Sequence, residues 1–547
     1  SRFARTFSCR TFGPKVVKSI GWSPCHYIEL YAVLMLHLMK IHKVLLAFTV
    51  LVLRGVPGEV LSSCPAQQPM PPLPEKPFKY NGISLPERCY EGNEDEHIFV
   101  IGDYGGMLCG DKSSLGGWDP NKGNCGYGSH FPKEPYVKAP FNFKEGIGRE
   151  PQPADHEPQY LVAKQMRNYA PKRKPRYIIN AGDNFYYGGI DMDCGHPMTG
   201  IHERTRRQFE YVFEKMYSGP GLDNVPWFGI LGNHDWGGYH FHKAWDQQIA
   251  YTWSKSYHKT NTSTGRWILP ALYYHQRMNY PSKGVSADFY FLDDNIGDAR
   301  DPKDPSMSNI CSAKLNAPGV SCAEQGGPSN AWDCTDWFRR KWAEQFAWFQ
   351  EKVVASDADW QILVAHFPPE RFGPYGGGPD WAKMWESWGL DLFIGSHVHE
   401  QKLEINSKSY GGLNYVVVGG GGGITSEWNP GWPDAGKHQY GFMDLTISKT
   451  EIKIDSINEV GDIAQTATIK PVAKAASRSL YPEENVKDPR FRHMPAAAIS
   501  RKEELLYKKK FLVEELHGLE YAYNMLEARA EAAKYKQIKQ HDSAIEQ

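Results

Sequence analysis

The sequence predicts a layered α/β fold, and three observations carry that prediction. Short apolar runs end repeatedly in Asp, Asn or His, and segments with apolar residues at three-to-four spacing lie between them. Hydrophobic residues make up 41% of the 547-residue chain, which is enough for a sizeable core and excludes disorder throughout. Strands that alternate with helices imply a mainly parallel sheet packed on both faces, where chemistry gathers at the carboxyl ends of the strands. At roughly 150 residues per domain, the length allows two to four domains or one large elaborated one. The balance of 62 basic against 63 acidic side chains offers no surplus of Lys and Arg to neutralise a phosphate backbone, so no nucleic-acid partner is expected.

In chain order, residues 1–38 read as a leader or non-native segment, because Met39 is a better start. Met39 to Lys43 is short and basic, Val44 to Leu53 is apolar, and Gly55 to Ser63 is rich in small and turn residues. This is the layout of a secretory signal peptide over 39–63, with an apolar run too short to span a bilayer. An uncleaved anchor extended by Leu30 to Leu38 is the competing reading, but Lys40 and Lys43 interrupt it. The expected address is secreted or lumenal, lysosome- or vacuole-like. Eight cysteines follow Met39: Cys64, Cys89, Cys109, Cys125, Cys194, Cys311, Cys322 and Cys334. An even count in an exported chain favours disulfides. Cys109 with Cys125, and a pair among Cys311, Cys322 and Cys334, would staple two loops. Asn261-Thr262-Ser263 is an acceptor triplet for N-glycosylation and agrees with the same route.

Residues 64–95 are Pro-rich and predict an extended linker. The catalytic body is expected over 96–460. His97 to Gly102 is an apolar run before Asp103, and Arg176 to Ala181 another before Asp183. Phe228 to Leu231 precedes Asn233, Gln361 to Ala365 precedes His366, and Leu392 to Ile394 precedes His397. Gln159 to Tyr169, Glu203 to Tyr217 and Asp336 to Val354 read as helices. One polar residue after a strand would be noise, but five strand ends delivering oxygen and nitrogen donors suit a metal cluster. Residues 107–157 and 295–335 read as insertions, placed as loops near the site or as edge decoration. After a linker over 461–500, residues 501–547 carry Leu505, Leu512, Leu519 and Leu526 at seven-residue spacing. That pattern predicts an amphipathic helix able to self-associate or meet a protein partner, although Gly518 lies within it.

The motifs in order are Gly102-Asp103-Tyr104-Gly105, Gly182-Asp183-Asn184-Phe185-Tyr186, Gly232-Asn233-His234-Asp235, Val364-Ala365-His366 and Ser396-His397-Val398-His399. Each alone is weak, whereas the ordered set resembles the binuclear metallophosphoesterases over roughly residues 95–458. Within them it is most similar to the purple acid phosphatases, also called tartrate-resistant acid phosphatases. Gly105 stands where protein Ser/Thr phosphatases carry a His, and Tyr186, three residues after Asp183, is the purple acid phosphatase pattern. The resemblance implies an αββα sandwich with two central mixed sheets flanked by helices.

The resemblance also implies a ligand set. Asp103, Tyr186 and His399 would hold Fe(III), Asp183 would bridge, and Asn233, His366 and His397 would complete a divalent site for Fe, Zn or Mn. Two cations about 3.5–4 Å apart can hold a phosphate ester, acidify a bound water and stabilise both attacking and leaving oxygens. The activity implied is acid hydrolysis of small phosphate monoesters by attack of a metal-bound hydroxide, with His234 assisting the leaving alcohol. A structural role for His234, hydrogen-bonded to Asp235, is the plainer reading of that residue. Tyr375 stands where family members often carry a second substrate-binding His; it can hydrogen-bond a phosphate oxygen but carries no proton as imidazolium would. Ser396 replaces the usual Gly and adds a side chain where backbones pack closely. Gly419 to Gly423 lacks the Lys of a phosphate-binding loop and reads as a structural turn, while Trp236, Tyr239, His240 and His242 would shape the substrate entrance.

A phosphodiesterase or nucleotide phosphatase on the same fold is the second enzymatic reading, since loops set the leaving group. A scaffold or receptor that uses the fold and the helical tail for binding is the non-enzymatic one. Intact positions for all seven ligands argue against it.

Overall fold

The computed structural model describes residues 64–106, 154, 158–257, 263–304, 309–372, 379–424 and 440–472. The leader, the signal segment, the insertion 107–157 apart from Ala154, Asn261 and Thr262 of the glycosylation triplet, Tyr375 and the helical tail therefore lie outside the described residues.

Two mixed sheets form the centre of the fold. The first runs β15 (Ile463–Ile469), β14 (Ile452–Asn458), β13 (Gly441–Ile447), β3 (Glu96–Ile101), β4 (Tyr177–Asn180), β5 (Trp227–Gly229) and β6 (Trp267–Ile268). The second runs β1 (Ile83–Ser84), β7 (Tyr274–Tyr280), β8 (Val285–Phe291), β9 (Trp360–Val364), β10 (Leu392–Gly395), β12 (Leu413–Val418) and β11 (Gln401–Ser407), with β2 (Arg88–Cys89) also on β7. Each sheet has a parallel centre, β3-β4-β5-β6 in one and β8-β9-β10-β12 in the other, with antiparallel strands outside it. The single mainly parallel sheet read from strand–helix alternation is thus two sheets. The two-sheet sandwich implied by the resemblance is the architecture found.

The alternation of side chains along a strand explains the layering. Ile98, Val100, Tyr177, Ile179 and Phe228 of the first sheet meet Phe289, Phe291, Ile362, Val364 and Ile394 of the second in one buried cluster. The Tyr177 and Phe289 rings cross edge to face at 5.7 Å, and the Tyr177 and Tyr280 hydroxyls share a 2.6 Å hydrogen bond between the sheets. The intervening residues, such as Phe99, Ile178, Leu363 and Phe393, face outward into a second cluster with the helices. Strands buried on both faces must be apolar at nearly every position, which is why they read as continuous apolar runs.

Helix Pro158–Arg173 covers the first sheet, and Ala331–Ala355 and Trp381–Trp388 cover the second. The side chain of Asn330 caps the longest of them, accepting from the backbone nitrogens of Trp332 and Asp333. The segment expected as one helix from Glu203 to Tyr217 is α-helical only over Glu203–Gln208 and continues as a π-turn over Phe209–Glu214.

The Pro-rich stretch 64–95 is not a linker among the described residues. Ile83–Ser84 and Arg88–Cys89 pair with β7, Phe78 stacks on Trp245 at 5.0 Å, and Cys64–Cys89 closes the segment. Prolines suit this edge position because they donate nothing to the ladder, so their presence does not separate a linker from an edge. The fold likewise passes the expected limit at 460, since β15 completes the first sheet. The pair expected among three cysteines is Cys311–Cys334, while Cys322 reaches back to Cys194 and clips the 295–335 insertion to the 189–200 loop.

Candidate metal centre

Three adjacent strands of the first sheet end in Asp103, Asp183 and Asn233, and two adjacent strands of the second end in His366 and His397. Register brings them together. Ile101 pairs with Asn180 and Asn180 with Gly229, while Ile394 pairs with Val364, so the donors emerge side by side at the carboxyl ends of both sheets. Asp103, Asp183 and His397 all have positive φ, 51°, 53° and 64°, a region that costs a non-glycine residue about 1–3 kcal/mol and persists where surrounding contacts over-determine it. Those contacts are present. Asp103 N donates to Gly182 O at 2.9 Å, His397 N to Asp103 Oδ2 at 2.9 Å, and His234 N to Asp183 Oδ1 at 2.9 Å.

The side chains form two groups that share Asp183. In the first, the Tyr186 hydroxyl lies 2.8 Å from Asp103 Oδ1, 2.6 Å from Asp183 Oδ2 and 3.2 Å from His399 Nε2. In the second, Asn233 Oδ1 lies 2.9 Å from His366 Nε2 and 3.2 Å from His397 Nδ1, and Asp183 Oδ1 lies 3.5 Å from His366 Nε2. All seven residues singled out from the sequence are brought together.

The donor set fits bound cations. Asp103, Asp183 and His366 are fully buried, and one ligand atom from each lies within 4.8 Å of the others. Among the described residues no Lys or Arg pairs with either carboxylate, and buried charge without such a partner is costly. Burial and the neighbouring Asp183 push the Asp103 carboxyl well above its usual range. Burial also raises Asp183, but the His366 and His234 imidazoles outweigh it and hold that carboxyl low. Burial, with the two carboxylates beside it, raises the Tyr186 phenol far above the ordinary tyrosine value, and burial depresses His366 and His397. A cation among these groups would reverse the rises at Asp103 and Tyr186, favouring carboxylate and phenolate, and would act in the same direction as burial on the imidazoles, favouring their neutral form.

Around the ligands, His234 donates Nδ1–H to the Tyr187 carbonyl at 2.5 Å and packs between the Tyr186 and Tyr187 rings. The Asp235 carboxylate is not its partner. Asp235 accepts from the backbone of Asn184 and Gly232 and from Gln248 Nε2, tying the second and third motifs together. Gly105 could be nothing larger, since a Cβ there would stand 1.9 Å from Asn184 O. The glycine run is a structural turn against Asp103, with Gly421 N donating to Gly102 O and Gly423 N to Asp103 O. Asp294 was missed in the sequence. Its carboxylate accepts from the backbone nitrogens of His366 and Phe367 and sets the turn that presents His366. The signal was available, because Asp293-Asp294 also ends an apolar strand run, Val285 to Leu292. His240 and His242 stay off the centre, and His242 Nδ1 meets Asn316 Oδ1 of the insertion at 3.0 Å.

Residues 154–401 match the calcineurin-like phosphoesterase family. The chain carries a calcineurin-like phosphoesterase domain. Asp103 precedes the matched range, and the pairing of β3 with β4 sets it beside Asp183 within that range. Pig tartrate-resistant acid phosphatase type 5 is 25% identical over 205 residues, 37% of this chain and 44% of that protein. Purple acid phosphatase 7 of Arabidopsis thaliana is 22% identical over 321 residues, 57% of this chain and 81% of that one. The chain thus spans less than half the length of the pig relative. Among solved structures, the Plasmodium inner-membrane-complex anchor GAP50 aligns with a TM-score of 0.41 at 15% identity, covering 70% of this chain and 90% of that one.

Proposed function

We propose that the protein hydrolyses phosphate monoesters at a binuclear metal centre, as an acid phosphatase of the purple type. The observation that supports this most directly is the division of the Asp183 carboxylate, with Oδ2 toward the Tyr186 group and Oδ1 toward the His366 group. Asp103, Tyr186, His399 and Asp183 would hold Fe(III), for which a phenolate is a hard anionic donor. Asn233, His366, His397 and Asp183 would hold Fe, Zn or Mn in the divalent state. When bound, the two cations supply Lewis-acid charge to the ester and acidify water.

The chain's own residues orient and protonate. With Nδ1–H held by the Tyr187 carbonyl, His234 keeps its other ring nitrogen for the substrate, where it would protonate the departing alkoxide. Tyr375 would hydrogen-bond a phosphate oxygen. The positive-φ residues and the Asp294-braced turn hold the donors in place before substrate arrives, so little reorganisation accompanies reaction. The three disulfides among the described residues favour an oxidising, secretory compartment for this activity, and no helix among those residues is long and apolar enough to cross a membrane.

The experiment compares hydrolysis of p-nitrophenyl phosphate and bis(p-nitrophenyl) phosphate by the metal-loaded full chain and by Asp183→Asn. Monoester turnover abolished by the substitution supports the reading. Preference for the diester moves the assignment to a phosphodiesterase, and turnover of neither ester, with metals bound, moves it to a scaffold.

A further inference from the structure

Ser396 is fully buried between the two halves of the centre, and its hydroxyl is committed. The Ala181 carbonyl, which can only accept, lies 2.9 Å from His366 Nδ1 and 2.6 Å from Ser396 Oγ. His366 Nδ1 therefore carries its proton, and Nε2 turns a lone pair toward Asn233 Oδ1 and Asp183 Oδ1. Ser396 Oγ stands 2.9 Å from the same Nδ1, so the imidazole N–H is shared between the carbonyl and the hydroxyl oxygen while the hydroxyl donates to the carbonyl. The backbone joins in, with Ser396 N donating to His366 O at 2.8 Å. The next residue of the same turn reaches Asp103, with His397 N donating to Asp103 Oδ2 at 2.9 Å. Room for the side chain comes from Gly102, where a Cβ would stand 2.5 Å from Ser396 Cβ and 2.9 Å from Oγ.

We propose that Ser396 is a positioning residue which, given the binuclear reading above, holds the orientation of the His366 ring for the divalent cation by sharing its Nδ1–H with the Ala181 carbonyl that sets the tautomer. A buried acceptor on the remote nitrogen of a ligating imidazole raises the basicity of the metal-facing nitrogen and prevents rotation of the ring. No water competes for that nitrogen, because Ser396, His366 and Asp103 are all fully buried. Removing the hydroxyl leaves the Ala181 carbonyl as the sole acceptor for His366 Nδ1 and opens a void beside the ring.

The test strips the full-length wild type, Ser396→Ala and Ser396→Gly with chelator, titrates each with Mn²⁺ and counts bound ions, with the melting temperature of the metal-free proteins measured alongside. Two ions on the wild type, a second-ion affinity about 10–100-fold weaker in both variants, and unchanged metal-free melting support the proposal. Wild-type affinity in Ser396→Ala overturns it, and so does a loss confined to Ser396→Gly, which would make bulk rather than the hydroxyl the cause. Metal-free variants that melt much earlier than wild type would assign the hydroxyl to folding instead. A wild type that binds fewer than two ions fails the binuclear reading itself, and this shows before any variant is compared.

Discussion

A methyl group on Gly232 would stand 2.2 Å from Asp183 Oδ1 and 2.5 Å from the Asp183 backbone nitrogen. The turn that delivers Asn233 is therefore packed directly on the shared carboxylate, and neither can move alone. Gly232→Ala forces Asp183 off position, and an error of about 1 Å at a reacting centre costs on the order of 100-fold. The expected outcome is loss of phosphatase turnover by at least that factor together with loss of bound metal, read by activity and elemental analysis.

Tyr186 donates one proton toward two buried carboxylates, which makes its removal informative with and without metal. Loaded with iron, the wild type is expected to absorb in the visible through phenolate-to-Fe(III) charge transfer, and Tyr186→Phe is expected to be colourless. Stripped of metal, the variant leaves Asp103 and Asp183 without that donor, and urea unfolding should show a loss of about 1–3 kcal/mol.

Two buried carboxyls away from the ligands set a pH dependence of stability. Burial pushes Asp246, which caps the nitrogens of Gly195 and His196, up to about 6, and Asp293, which accepts from Trp236 Nε1, to about 6. Between about pH 4 and 6 the folded chain holds each proton that the unfolded chain has released. Stability contributed by these groups is therefore greatest in acid and falls as pH rises, by up to about 1.4 kcal/mol per unit for each group. Urea midpoints from pH 4.5 to 7 should fall less steeply for Asp246→Asn and Asp293→Asn than for the wild type.

The Cys194–Cys322 bridge spans 128 residues and holds the insertion beside the loop that follows Tyr186. A loop of that length gives an entropic ceiling of roughly 5 kcal/mol, lowered here because Cys311–Cys334 encloses one end. The double Ser variant should melt several degrees lower in calorimetry. With metals bound it should keep its turnover, because none of the seven donors lies in the 189–200 loop or in the 295–335 insertion that the bridge joins.

Much of the site could be read from the chain because strand ends are local. An apolar run followed by Asp, Asn or His is a pattern of a few residues, and Asp103, Asp183, Asn233, His366 and His397 all lie in such patterns. Tyr186 and His399 came with them through short fixed spacings. The helix Ala331–Ala355 was visible through its periodicity, whereas the break of the 203–217 helix into a π-turn at Phe209 was not, since propensity carries no trace of an extra residue in a turn. The linker reading failed at 64–95 because pairing with β7 joins residues nearly 200 apart.

By itself, then, the sequence determined which residue types stand at the strand ends and in what order, and hence the chemistry open to the site. The tertiary structure decided that three strands of one sheet and two of another converge, that Asp183 divides its oxygens between two groups, that Tyr187 rather than Asp235 orients His234, and that Ser396 and Asp294 brace His366. The physical reason is that hydrophobic pattern and turn chemistry act over a few residues. Contacts between strand ends depend on register and sheet packing, which only the folded chain sets.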